Sequence, residues 1–95
     1  MFIINVWLTV KDPRNCDRVG ELLAQMAEGV RKEDGCARFA AYRSESEPVR
    51  FLLNEHWQSR EHWEAHRGAR ICKEIYEPLV LPLVTREAHP CSLVA

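Results

Sequence analysis

The segment Phe51-Leu-Leu-Asn-Glu-His-Trp-Gln-Ser-Arg-Glu-His-Trp-Glu-Ala-His66 passes from a strand-like run to a helix. Its first half is rich in apolar residues and ends at Trp57, and Ser59 is placed to cap the N-terminus of the helix. Tryptophan, histidine, asparagine and glutamate side chains crowd into this corner. Such a corner can line a pocket that holds a flat organic molecule and moves its protons.

The chain before this corner starts with a strand and a helix. Phe2–Val10 is predicted to be a strand with two largely apolar faces, which favours a sheet covered on both sides. Asp12 and Pro13 are typical of a helix start. The helix that follows has an apolar stripe at helical spacing, formed by Val19, Leu22, Leu23, Met26, Ala27 and Val30.

Two more strands are predicted between this helix and the corner. Gly35 ends the helix, because glycine adopts a left-handed conformation at little cost. Residues Cys36 to Arg43 then read as the second strand and Val49 to Trp57 as the third, with a turn at Ser44–Pro48 between them.

The chain after the corner is predicted to finish with helix and strand. Gly68 breaks the helix, and a second helical piece runs from about Ala69 to Leu79, limited by Pro78 and Pro82. The stretch from Leu83 to Leu93 is a final strand or extended arm, interrupted at Pro90. It is expected to add to the edge of a sheet, and His89 is expected to be a turn residue.

The predicted order is β-α-β-β-α-β in one α+β domain, residues 1–95. This is a ferredoxin-like arrangement with an antiparallel sheet. Both connecting helices cover one face of the sheet and leave the other face bare. A second copy that packs the same face against it would hide that surface, so we expect a homodimer.

Composition excludes several classes of partner. The net charge is −1, from 13 basic and 14 acidic residues, and no basic stripe suggests nucleic acid. No apolar run is long enough for a membrane span, and the N-terminus lacks a signal-peptide pattern, so a cytoplasmic location is predicted. The four cysteines form no CxxC pair, which argues against a structural zinc site or a disulfide framework.

Several short motifs carry a family resemblance: Asp34-Gly35-Cys36, Arg50-Phe-Leu-Leu53, Glu55-His56-Trp57, Ser59-Arg60-Glu61 and Glu64-Ala65-His66. With these motifs the chain resembles, over nearly its whole length, the antibiotic biosynthesis monooxygenase family of dimeric α+β barrel proteins. The resemblance implies an oxygenase that converts an anthrone or hydroquinone into a quinone with O₂ and no cofactor. The same group also includes haem-degrading enzymes and a sugar-phosphate isomerase, so the fold does not fix the reaction.

Cofactor-free oxygenation needs a base that makes an electron-rich substrate anion, and histidine suits this role. His66 is the preferred base, and His56 is also within reach of the corner; the alternative is that either is a partly exposed surface histidine. Asn5 matches an asparagine that lies in the pocket of the haem-degrading members. It is the candidate donor to a substrate oxygen, unless it bonds a neighbouring strand.

Aromatic side chains are the candidate pocket walls. Trp63 and Tyr76 are preferred, and His56 and Trp57 are further candidates for substrate contact. For Trp57 the favoured alternative is packing in the core or in a dimer interface. In the haem degraders a tryptophan occupies the place of His66, and the iron-binding histidine falls at or near Tyr76, so haem degradation is the weaker hypothesis.

No metal or cofactor is predicted. His62 and His66 have the spacing of two ligands on one helical face, but the zinc-protease motif requires Glu directly after the first His, where Trp63 stands.

The orientation of the strand before the corner is not decided by the sequence. Either Glu55 and Trp57 or Asn54 and His56 face the helices. Glu55 is either a buried acid with a raised pKa or, as we expect, the partner of an arginine such as Arg43.

The main hypothesis from the sequence is therefore a homodimeric, cofactor-independent monooxygenase of an aromatic compound. A non-catalytic small-ligand-binding or stress-related dimer is the alternative from a different class. An isomerase of a small phosphorylated sugar is the third possibility, for which Arg43, Arg67 and Arg70 are the candidate phosphate ligands.

Overall fold

The computed structural model describes the whole chain, Met1–Ala95, and has the predicted ferredoxin-like topology. Its four strands are β1 (Phe2–Val10), β2 (Cys36–Arg43), β3 (Arg50–Trp57) and β4 (Val84–Cys91). They form one antiparallel sheet in the order β2-β3-β1-β4. The helices pack on one face, which confirms the predicted α+β class.

Strand β1 is central in the sheet and shows which face the helices cover. Ile4, Val6, Leu8 and Val10 are buried against the helices. The alternate residues from Ile3 to Thr9 are only half-buried and lie on the face that nothing in the chain covers, which we call the open face. Side chains alternate along a strand, so the two faces separate cleanly.

Helix α1 (Cys16–Val30) is preceded by a short 3₁₀ turn, Pro13–Asn15. The Asp12 side chain accepts a hydrogen bond from the Arg14 N–H and caps this turn. The predicted start at Asp12 and Pro13 is thus confirmed as a 3₁₀ turn that leads into the α-helix. The whole predicted apolar stripe is buried: Val19, Leu22, Leu23, Met26, Ala27 and Val30.

The turn after α1 depends on Gly35, whose φ of 79° lies in the left-handed region. A Cβ at this position would also overlap the His62 ring. The Gly35 carbonyl accepts a hydrogen bond from the Gln58 N–H at 2.8 Å, which joins the turn to the chain just after β3. The start of β2 and the corner after β3 are therefore held together.

Helix α2 (Arg60–Arg67) begins as predicted, because the Ser59 side chain accepts a hydrogen bond from the His62 N–H. Gly68 ends it. The next helical piece continues as a π-helix, Cys72–Val80, with Pro78 inside it, and a 3₁₀ turn follows at Leu81–Leu83. The helix ends at Val80, close to the predicted end at Leu79, and Pro82 follows two residues later. Its π-helical form was not predicted: the hydrogen bonds skip a further residue, as the one from Leu81 N–H to the Tyr76 carbonyl does.

Strand β4 lies at the edge of the sheet and pairs only with β1. The prediction that the last segment adds to a sheet edge is confirmed. The expected interruption at Pro90 and the expected turn at His89 are wrong, because both residues continue β4, opposite Ile4 and Asn5. An edge strand tolerates proline, since one side of its backbone needs no partner strand.

A chain of hydrogen bonds crosses the open face through all four strands. Asn54 Nδ2 donates to Asn5 Oδ1 at 2.7 Å, and Arg38 Nε donates to Asn54 Oδ1 at 2.8 Å. Arg38 also donates to the Tyr42 hydroxyl, and Asn5 Nδ2 donates to Cys91 Sγ at 3.3 Å. The polar side chains of this face thus bond one another.

None of the helices is both long enough and apolar enough to cross a membrane.

Candidate functional site

A cavity of about 470 Å³ lies between the sheet and the helices. Its walls come from helices α1 and α2, the π-helix, and strands β2, β3 and β4. They include the predicted residues His66, Trp63 and Tyr76. A cavity of this size is typical of small-molecule sites.

His66 lies at the inner wall of the cavity and is 7% exposed. The alternative of a surface histidine is therefore wrong for this residue. Its ring stacks on the Trp57 indole with 4.6 Å between centroids. Its Nδ1 is 2.6 Å from Glu33 Oε1, on the turn after α1. Stacking and hydrogen bonding together hold the imidazole in one orientation.

The other ring nitrogen of His66, Nε2, faces two cavity-lining groups. Cys72 Sγ is 3.4 Å away and Glu55 Oε1 is 3.9 Å away. Burial, aided by the charges of Glu33 and Glu55, raises the pKa of the Cys72 thiol to about 12. Cys72 is therefore a neutral thiol at physiological pH and no strong nucleophile.

The alternation of β3 turns Glu55 and Trp57 toward the helices, which settles the choice that the sequence left open. The predicted ion pair between Glu55 and Arg43 is wrong, since Arg43 contacts Asp17 at 3.2 Å. Glu55 is buried and accepts a hydrogen bond from Trp57 Nε1 at 3.0 Å. Burial raises the pKa of Glu55, although the hydrogen bond from Trp57 acts in the opposite direction.

We expect the variant Glu55→Gln to gain stability relative to the native protein as the pH rises. With its pKa raised by folding, Glu55 favours the folded state in acid, and this contribution is lost as the pH rises from the ordinary glutamate value, 4.5, through the folded pKa. Glutamine does not titrate and can still accept the Trp57 hydrogen bond. Denaturant unfolding at acidic and neutral pH measures the difference.

The control for this experiment is Glu45→Gln, in the exposed turn between β2 and β3. Its stability should follow that of the native protein at every pH. A constant difference between Glu55→Gln and the native protein across the pH range would contradict the assignment of a raised pKa to Glu55.

Tyr76 and Arg86 form a polar wall opposite the apolar end of the cavity. Arg86 Nε donates to the Tyr76 hydroxyl oxygen at 3.1 Å. Burial raises the pKa of Tyr76, so the phenol keeps its hydrogen at neutral pH and can donate it to a bound oxygen atom. Trp63 is half-buried at the same cavity, with the Arg67 guanidinium 5.0 Å from its ring centroid.

Three predicted site residues lie elsewhere. Asn5 and His56 are on the open face, on the opposite side of the sheet from His66, and Asn5 bonds Asn54 and Cys91 instead of facing this cavity. The match of Asn5 to the pocket asparagine of haem-degrading enzymes therefore does not place it in this subunit's cavity. Trp57 is fully buried beneath His66 and supports the ring from behind.

The histidines and arginines of the other hypotheses are dispersed. His62 Nδ1 is 2.7 Å from the Ser59 hydroxyl, and its Nε2 is 3.5 Å from Asp34 Oδ2, so it does not join His66. No group of three His, Cys, Asp or Glu side chains is arranged to hold a metal ion. Of the three arginines considered for a phosphate, only Arg67 lines the cavity, while Arg70 pairs with Glu74 at 2.7 Å.

The sequence analysis missed Glu33, Cys72 and Arg86. Arg86 follows the alternation of β4 and shares its face with Val84 and Ala88, which the strand pattern could have indicated. Cys72 lies six residues after His66, beyond the break at Gly68. No local pattern marks Glu33, because its partner is 33 residues away in the chain.

Comparison with known proteins gives a family and a fold. The sequence model of the family described as antibiotic biosynthesis monooxygenase matches residues 1–78. No curated protein sequence matches the chain. A solved structure of an antibiotic biosynthesis monooxygenase superimposes with a TM-score of 0.91 at 18% identity, over 100% of both chains.

Two further solved structures are similar. A protein of Nitrosomonas europaea, provisionally assigned as an antibiotic biosynthesis monooxygenase, has a TM-score of 0.91 at 21% identity over 100% of both chains. A conserved protein of unknown function from Bacteroides thetaiotaomicron, described as a possible oxidoreductase, has a TM-score of 0.89 at 20% identity, over 97% of this chain and 96% of its own. At such identities these structures show a shared fold and nothing about activity.

Proposed function

This chain belongs to the antibiotic biosynthesis monooxygenase family, and we propose that it is a monooxygenase that oxidises an aromatic anthrone or quinol with O₂ and no cofactor. The observation that carries the proposal is the buried His66, whose Nε2 faces a cavity large enough for a flat aromatic molecule. Within this family, a base in a water-poor cavity is the group that such a reaction needs from the protein.

The first step is removal of a proton from the bound substrate by His66 Nε2. With an anthrone, the carbon that loses the proton becomes part of an electron-rich enolate, whose oxygen carries the negative charge. The Tyr76 hydroxyl and the Arg86 guanidinium lie on the cavity wall, where they can donate to that oxygen. Trp63 provides a flat apolar surface for the rings.

The enolate then supplies the electrons that reduce O₂. One oxygen atom becomes the new carbonyl of the quinone, and the other leaves as water with two hydrogens that come from the substrate methylene. The balance therefore needs no outside reductant. The protein's contribution is to make the anion and to hold it flat against the cavity wall.

The open face supports a homodimer. Ile3, Trp7 and Leu52 are half-buried on this face, and the polar side chains between them already bond one another across the strands. A second copy would cover these apolar groups, and the hydrogen bonds among Arg38, Asn54 and Asn5 would stay satisfied within each subunit. Sedimentation of a stable monomer at micromolar concentration would overturn this part of the proposal.

The test of the reaction is O₂ uptake by purified, metal-stripped protein with a panel of anthrones and hydroquinones, beside blanks without enzyme. We expect uptake above autoxidation for at least one compound, with quinone formed in step. Compounds that stabilise the protein against heat but are not converted would instead support a non-catalytic ligand-binding dimer. Stoichiometric binding of haem, or isomerisation of a sugar phosphate, would favour the other two alternatives.

A further inference from the structure

We propose that Glu33 is a positioning residue for His66. It holds the imidazole with a hydrogen on Nδ1, leaves Nε2 as the proton acceptor that faces the cavity, and stabilises the imidazolium that forms when Nε2 takes a proton. The inference rests on the proposed function of His66 as a base, and it assigns a role to a residue outside the cavity.

The contact between Glu33 and His66 is short and shielded from water. Glu33 Oε1 is 2.6 Å from His66 Nδ1, and the two side chains are 18% and 6% exposed. An ionised carboxylate can only accept hydrogen bonds, so the hydrogen between these atoms belongs to Nδ1. A neutral imidazole carries one N–H, and Nε2 is then left with its lone pair toward the cavity.

The backbone fixes the position of the Glu33 carboxylate. The Glu33 N–H donates to the Val30 carbonyl at 3.0 Å, and the Glu33 carbonyl accepts from the Cys36 N–H at 3.2 Å. Gly35 supplies the left-handed residue that this turn needs. The backbone of Glu33 is therefore held in the turn, and the hydrogen bond to His66 Nδ1 places its carboxylate without a bound substrate.

The groups around the ring explain why a second carboxylate does not replace Glu33. On the Nε2 side the ring faces Glu55 Oε1 at 3.9 Å and Cys72 Sγ at 3.4 Å. Glu55 already accepts a hydrogen bond from Trp57, and Cys72 is a neutral thiol. Glu33 alone forms a short hydrogen bond to the ring. Without it, the hydrogen of the neutral imidazole should no longer prefer Nδ1, and the imidazolium should be less stable.

The first test needs no activity. Nitrogen NMR of protein labelled in its histidines reports which ring nitrogen carries the hydrogen. In the native protein with a neutral imidazole, we expect His66 to carry the hydrogen on Nδ1, and in Glu33→Ala we expect this preference to be lost. Glu28→Ala, an exposed glutamate on α1, is the matched control and should leave the His66 signals unchanged. Native His66 with its hydrogen on Nε2 would overturn the inference.

The second test is kinetic and uses a substrate found by O₂ uptake. Glu33→Ala should lower kcat about 10-fold or more, a part of what a general base contributes, with little change in KM. Glu33→Asp should restore part of the rate, and Glu28→Ala should behave as the native protein.

The outcomes separate this inference from the proposed function. If His66→Ala keeps full turnover, the role of His66 as the base is wrong, whatever the NMR shows for Glu33. If His66→Ala loses turnover but Glu33→Ala keeps the native kcat, the base assignment stands and the role of Glu33 is wrong.

Discussion

Replacing His66 with Ala should lower turnover of the aromatic substrate at least about 100-fold, the lower range of what a general base contributes. The physical reason is that Nε2 of this buried ring faces the cavity, while the other groups near it are a thiol and a hydrogen-bonded carboxylate. Initial rates of O₂ uptake and quinone formation measure the loss.

A second variant separates lost chemistry from lost structure. His66→Asn can keep a hydrogen bond to Glu33 through its amide but has no basic nitrogen. It should therefore be as inactive as His66→Ala, while its free energy of unfolding should be closer to that of the native protein. His89→Ala is the matched histidine control, since this side chain is exposed on the edge strand β4. Native rates in both His66 variants would remove His66 from the reaction.

Replacing Trp57 with Ala should destabilise the protein by about 3–5 kcal/mol, as expected for a large aromatic residue in a packed core. The indole is fully buried, stacks on His66 and donates to Glu55. The milder variant Trp57→Phe keeps most of the apolar volume but leaves Glu55 without its donor. It should cost about 1–3 kcal/mol, the usual penalty of an unsatisfied buried polar group.

Denaturant unfolding measures both losses, and Trp63→Phe is the comparison. Trp63 is half-buried and makes no hydrogen bond through its indole nitrogen within the chain, so this variant should lose less stability than Trp57→Phe. An equal loss in the two Trp→Phe variants would show that the bond from Trp57 Nε1 to Glu55 contributes nothing to stability.

The fold was largely predictable because local signals agreed with each other. The apolar stripe of α1, the left-handed Gly35 and the Ser59 cap each have one structural solution, and the structure uses it. The last helical piece was predicted to end at about Leu79 and ends at Val80, but its π-helical form was not predicted because no residue pattern marks a π-helix.

The candidate site was predictable only in part. Trp63 and His66 lie one turn apart on α2 and both reach the cavity, as Tyr76 does from the next helix. The faces of β3 could not be assigned because Leu52 and Leu53 make both faces apolar. Pairing resolves this, since Asn54 lies opposite Asn5 and in-register partners share a face. Asn5 was assigned to the pocket from a family position, although Ile4, Val6 and Leu8 indicate that β1 turns its other face to the helices.

The π-helix Cys72–Val80 has a consequence for how this cavity can diverge among related chains. Each of its hydrogen-bonded rings encloses one residue more than an α-helical ring does. Deleting a single residue at the exposed Glu74 would rotate Tyr76 about the helix axis relative to Cys72, while Pro78 would still prevent a regular α-helix there. Insertion or deletion of one surface residue in this helix could thus change which side chains line the cavity while the sheet keeps its strand order.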